Sequence, residues 1–155
     1  MTPRELLERW YLTIRRTELE HALAARFYEK MNWKLGVPVV ILTAIVGASV
    51  FATLEKTDLL WLKVATGLLS VLAVVLSSLQ TFLGFGERAA AHKAAADRFG
   101  QLAREAQQGI VIGVPDTQMQ VFLKDLRESW DAITQAAPSL RNSTIIALTH
   151  DQESV

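Results

Sequence analysis

Two stretches of this chain carry no ionisable group. Leu35 to Leu54 reads LGVPVVILTAIVGASVFATL, and Val64 to Gly86 reads VATGLLSVLAVVLSSLQTFLGFG. Coiled as helices they reach about 30 Å and about 34 Å, which matches the hydrocarbon core of a bilayer, the second with some tilt. A buried hairpin in a soluble bundle is the competing explanation, but a chain of 155 residues leaves too little other sequence to cover both stretches. The first block also starts too far from Met1, and runs too long, to be the apolar region of a cleaved signal peptide. The pattern therefore predicts a first transmembrane helix at residues 35–54, an external loop at 55–63 and a second transmembrane helix at 64–86. The loop places Trp61 where an interfacial ring would sit.

The flanking sequence has a helical period with polar residues on one side. Thr2-Pro3-Arg4-Glu5 combines a capping hydroxyl, a proline at the first helical position and a Glu placed to reach back, which is a helix start. From there, Leu7, Tyr11, Ile14, Ala25 and Tyr28 recur at heptad-like spacing, with Glu18 and His21 on the same stripe, and predict an N-terminal helix over residues 1–34. After the second span, Phe85, Ala89, His92, Ala96, Phe99, Ala103 and Ala106 repeat the spacing with small residues suited to close packing, over a helix at 87–108. These two helices are expected to pair. The segment Gly109 to Pro115 interrupts the period with two glycines and a proline, and Asp116 is the expected cap of the next helix. Met119, Phe122, Leu126, Trp130 and Ile133 define that third amphipathic helix, ended by Pro138, so that 109–138 is connector plus helix. The tail, 139–155, has no assignment beyond a short apolar run from Ile145 to Leu148. The fold class expected is an all-α membrane protein, a two-helix transmembrane hairpin with long cytoplasmic helices packed as a bundle.

Charge sets the orientation. Arg26, Lys30 and Lys34 precede the first span and Arg88, Lys93, Arg98 and Arg104 come after the second, against Lys56 and Lys63 in the loop. Counting Lys and Arg alone, both ends are expected in the cytoplasm, with the protein in the plasma (inner) membrane and the lipid bilayer as its first partner. The formal net charge is zero and no basic run stands out, which argues against nucleic acid as a partner. The chain has no cysteine, so thiolate chemistry, disulfides and Cys-based metal sites are excluded.

The second span carries the most informative chemistry. Thr66, Ser70, Ala73, Ser77, Gln80, Thr81 and Gly84 fall within roughly a third of the helix circumference. Such a stripe either packs helices or lines a wetted pore, because intramembrane polar groups are costly unless used. Thr43 and Gly47, beside Ala44 and Ala48, give the first span a small-residue face expected to pack against another helix. Gly84, Gly86 and Ala89 match the spacing of a dinucleotide loop, but an apolar helix stands where that loop needs a strand. His21 and His92 share the inner stripes of two pairing helices, which raises a joint metal or proton site. Counted from the ends of the two spans as continuous helices, however, they lie roughly 12 Å apart in depth, a difference that only a kink at Asn32 to Pro38 would shorten, so interface histidines packed near Phe99 are expected, with no metal. No Ser, His and Asp arrangement forms, since Ser77 and Ser78 lie about 20 Å along the axis from His92. The Asn142-Ser143-Thr144 sequon would need a lumenal setting that the topology denies. No catalytic residue, cofactor or enzymatic activity is expected.

The Tyr28 and Trp33 approach, Gly36-Val37-Pro38 opening the first span, Ser77-Ser78-Leu79-Gln80-Thr81-Phe82 closing the second, the Arg88 to His92 stretch leading to Phe99 and Leu102, and the helix ending at Ala136-Ala137-Pro138 together resemble the SLATT domain family (SMODS and SLOG-associating two-transmembrane effector domain), bacterial modules associated with nucleotide-signalling and sensor genes in conflict systems. The resemblance spans most of Leu7 to Ala106 and implies a homo-oligomeric effector in antiviral defense that forms or disrupts a membrane pore, an ion channel in effect, on an intracellular signal. Many such modules are fused to a sensor or sit beside a nucleotide-making enzyme. Here the module alone is expected, with a separate sensor or nucleotide-signalling protein as partner. A non-conducting anchor that docks a cytoplasmic protein, or a holin-like lysis protein, are the alternatives.

Overall fold

The computed structural model describes residues 2–53 and 60–140. Its elements are α1 (Pro3–Thr53), α2 (Leu60–Leu83), α3 (Phe85–Gln108), a π-helical turn (Gly109–Gly113) and α4 (Asp116–Ala136), with no strand among the described residues. The expected all-α class, with two helices long and apolar enough to cross a membrane, is what the chain adopts. Most of the expected external loop lies outside the described residues. Its last four residues do not: Leu60 to Lys63 form the first turn of α2. The sequon and the apolar run after it are also outside the described residues.

The start of α1 is a capping box. Thr2 N donates to Glu5 Oε2 at 2.9 Å and Glu5 N donates to Thr2 Oγ1 at 3.2 Å, so two orphan amides at the helix terminus are satisfied reciprocally. From Pro3 the helix runs 51 residues without interruption, through the expected boundary at residue 34 and through Pro38. Two compact units form around it, one from residues up to Phe27 with those from Glu87 onward, the other from Tyr28 to Gly86.

The first unit is a helical bundle of α1, α3 and α4. Its core is Leu7 and Ile14 of α1, Phe99, Leu102, Ala103 and Ala106 of α3, and Met119, Leu123 and Leu126 of α4, all buried. The heptad-like stripes expected on α1 and α3 are the buried faces, and the alanines of α3 bring its backbone close to its neighbours. Trp10 meets Trp130 edge to face with centroids 5.9 Å apart, a preferred aromatic geometry that ties α1 to α4. On the outer side of α4, Lys124 pairs with Glu128 and Arg127 with Asp131 at helical spacing.

As expected, the α period of the third helix stops at Gln108; the connector begins as a π turn that ends at Gly113, whose φ of +83° is a left-handed conformation open to glycine at little cost. One expectation needs correction: Asp116 is not the cap of α4. Pro115 takes that position, and its carbonyl accepts from Gln118 N at 2.8 Å and Met119 N at 3.0 Å.

The second unit is the hairpin of the apolar half of α1 with α2. Its seam is formed by the half-buried Leu35, Gly36, Val39, Leu42 and Val46 of α1, and on α2 by the buried Ala73 with the half-buried Thr66, Ser70, Leu76 and Gln80. Outside this seam the hairpin presents Val37, Val40, Ile41, Leu68, Val71 and Val74 to its surroundings. Of the most apolar window on each helix, 0% is buried in α1 and 6% in α2, so neither is the covered core helix of a soluble fold. An apolar surface of this extent matches a lipid solvent.

Candidate functional site

The polar stripe of α2 divides in two when the hairpin forms. Side chains 100° apart around a helix can share a contact only if it is centred on them. Here the contact with α1 is centred on the edge carrying Ala73 and Gln80. Thr66, Ser70, Gln80 and Gly84 are therefore half-buried, whereas Ser77 and Thr81, together with Ser78, are exposed on a half of the helix that also carries the exposed Lys63, Gly67 and Val74. Gly36 leaves room for Gln80: a Cβ placed there would sit 3.1 Å from the Gln80 Nε2. The hydroxyls are satisfied along their own helix. Ser70 Oγ donates to the Thr66 carbonyl at 2.8 Å, Ser78 Oγ to Val74 at 2.8 Å and Thr81 Oγ1 to Ser77 at 3.1 Å, which lets each sit in an apolar medium without an orphan donor.

The small-residue face of the first span is not where the two spans meet. Thr43, Ala44, Gly47 and Ala48 are all exposed, and nothing lies within 4 Å of a Cβ built on Gly47. The hairpin packs instead through the neighbouring face, where the larger Val39, Leu42 and Val46 fill the seam. Thr43 Oγ1 donates to the carbonyl of Val39 in its own helix. Gly84 also has a role the stripe did not suggest. At φ +55° it ends α2, so the second apolar block is one helix to Leu83 followed by a turn from which α3 starts at Phe85.

That turn explains the largest difference from expectation, which concerns the histidines. His21 and His92 are not separated in depth. Their Nδ1 atoms are 3.0 Å apart, both residues are buried, and the ring centroids are 5.2 Å apart. The expectation took the last uncharged residue of each span as a common level, but Gly86 lies opposite Asn32, not opposite Leu35. The rings of Tyr28 and Phe85 stack at 6.2 Å, and His21 precedes Tyr28 by seven residues just as His92 comes seven after Phe85, so equal steps replace the unequal ones. Phe99 completes the cluster, stacked on His21 with centroids 5.5 Å apart and ring planes 17° apart.

At this distance one Nδ1 carries a proton and donates it to the other, so the contact pairs two different tautomers or an imidazolium with an imidazole. Burial holds His21 below its ordinary range, His92 beside it adds to that, and Glu20 opposes both; burial alone does the same to His92. Sequence reasoning missed two further features of the cluster's surroundings. Glu18 bonds Arg15 at 2.5 Å, and its carboxylate lies over Gly100, where a Cβ would come within 3.0 Å of Oε1. The glycine signalled that close approach, but its partner on α1 could not be read from spacing. No group of three or more metal-ligating residues forms among the described residues.

A family model described as SMODS and SLOG-associating 2TM effector domain family 4 matches residues 5–143. No curated protein and no solved structure matches the chain.

Proposed function

Because the chain belongs to the SMODS and SLOG-associating 2TM effector domain family 4, a family of two-transmembrane effectors associated with conflict systems, we propose that it is the membrane-acting part of a bacterial antiphage response. In this reading copies of the hairpin assemble in the inner membrane with both ends in the cytoplasm, and conduct when a separate sensor or nucleotide-signalling protein acts on the helical body. Assembly is required because two helices cannot enclose a water path. The observation that carries the reading is the exposed trio Ser77, Ser78 and Thr81 on α2. Hydroxyls turned away from the hairpin contact contribute nothing to it, and gathered from several copies they would give one wall of a wetted conduit. Gln80 belongs to the hairpin seam and supports the trio from behind.

A non-conducting anchor is the second reading, and a different feature favours it. Val111 and Ile112 on the π turn are 75% and 80% exposed in the helical body, beside a groove of about 560 Å³ bordered by Glu105, Val121, Phe122 and Asp125. An apolar tip of this kind suits a docked protein. Conductance across planar bilayers separates the readings. Discrete currents from the wild type that vanish in the Ser77→Leu, Thr81→Leu variant are the expected result. Equal currents from both proteins would overturn the lining, and silence from the wild type in the presence of its sensor would overturn conduction in favour of the anchor.

A further inference from the structure

We propose that the contact between His21 and His92 is a proton-sensitive latch of the helical body, closed while at most one of the two imidazoles is protonated and open when both are. With Nδ1 atoms 3.0 Å apart, a neutral pair and a singly protonated pair each supply one donor and one acceptor. A doubly protonated pair supplies two donors and two positive charges at the same spot. Both residues are buried, so water cannot screen the charges unless α1 and α3 part. Phe99, stacked on His21, closes one side of the cluster with a ring that offers no acceptor.

The surrounding charges do not cancel the effect. On α1, Glu18 is engaged by Arg15 and Glu20 by Arg16. Glu20 is the carboxylate that favours protonation of His21, and it acts against burial and His92 together. On α3, Lys93 and Asp97 are exposed on the outer side of the helix, Arg88 is exposed one turn before His92 on the same face and adds positive charge there, Arg98 borders the groove toward α4, and Arg104 lies near Glu18 at Gly100. On α4, Lys124, Arg127, Glu128 and Asp131 pair with one another at the surface.

The direction comes from linkage. Opened histidines titrate near their ordinary value of 6.5 while the closed pair is held below it, so the closed form is favoured in full above pH 6.5 and loses ground as pH falls under that value. Opening takes up two protons where the closed pair is neutral and one where it already holds one, so the opening equilibrium rises between about tenfold and a hundredfold per pH unit. The latch would release the helical body in an acidified cytoplasm, and it requires nothing of the pore.

Hydrogen exchange on the full chain in lipid nanodiscs, corrected for the intrinsic pH dependence of exchange, tests this over residues 14–27 and 88–103. The wild type should open progressively between pH 6.5 and 5, while His92→Gln, which leaves one imidazole beside a neutral group able to accept its proton, should stay closed over that range. A flat wild-type profile, or an unchanged slope in His92→Gln, would overturn the latch. Nitrogen NMR of the wild-type histidines at pH 7.5 gives an answer that needs no variant: one Nδ1 protonated and the other not is expected, and two unprotonated Nδ1 atoms would refute the contact. Neither measurement involves conductance, so the latch and the pore stand or fall separately.

Discussion

Replacing Phe99 by alanine should remove more stability from the helical body than any other single truncation on α3. The ring is 1% exposed, at the centre of the core shared by α1, α3 and α4. Its transfer out of water contributes about 2–3 kcal/mol. The stack on His21 at 5.5 Å adds about 0.5–1.5 kcal/mol, and the void left between three helices brings the expected cost to about 3–5 kcal/mol. Against a typical domain stability of about 5–15 kcal/mol, that is a large fraction. Pulse proteolysis in urea of the full chain in nanodiscs reads the helical body directly. At slopes of about 1–3 kcal/mol per M, the midpoint should fall by on the order of 2 M. Phe99→Leu, which refills most of the volume but cannot stack, should lose only about 1 kcal/mol. If Phe99→Ala unfolds within about 0.5 kcal/mol of wild type, or if the leucine variant is as damaged as the alanine one, Phe99 is not the packing centre of the three helices.

Gly109→Ala places a Cβ 2.8 Å from the Cε1 and Cζ of Phe122, a half-buried ring held between Gly109 and the core, and should cost about 1–3 kcal/mol by overpacking in the same assay. Gly113→Ala meets no atom but must hold φ +83°, so a loss of about 1–2 kcal/mol with no change in contacts is expected, and Gly113→Asn should recover part of it. Thr2→Ala removes one arm of the capping box and should fray the first turn of α1 at a cost of about 0.5–2 kcal/mol, seen as faster exchange of the Glu5 amide.

The amphipathic stripes are legible in the sequence because each rests on helical period alone: Leu7, Ile14 and His21 on α1 and His92, Phe99 and Ala106 on α3 are buried where their spacing puts them. The capping box is legible for a similar reason, its two partners being three residues apart. What period cannot supply is the register between helices. Charge content is a poor marker of membrane level for the two histidines, because Gly84, a single residue with positive φ, resets the start of α3 and brings His92 level with His21. The polar stripe shows the same limit. Its angular width can be read from sequence, but the centre of the hairpin contact depends on which face of α1 fits, and Val39, Leu42 and Val46 fit better than the small face of Thr43, Ala44, Gly47 and Ala48. The π turn leaves only its glycines as a trace in the sequence, and they read as a break.

The absence of native cysteine makes thiol labelling the most direct test of the central claim, that the exposed hydroxyl edge of α2 faces water in the assembled membrane protein. Single cysteines at Ser77 and Thr81 should react with a small charged, membrane-impermeant thiol reagent, while cysteines at Leu68, Leu72 and Leu79, exposed on the other side of α2, should not. Reaction at all five positions, or at none of them, would contradict the account.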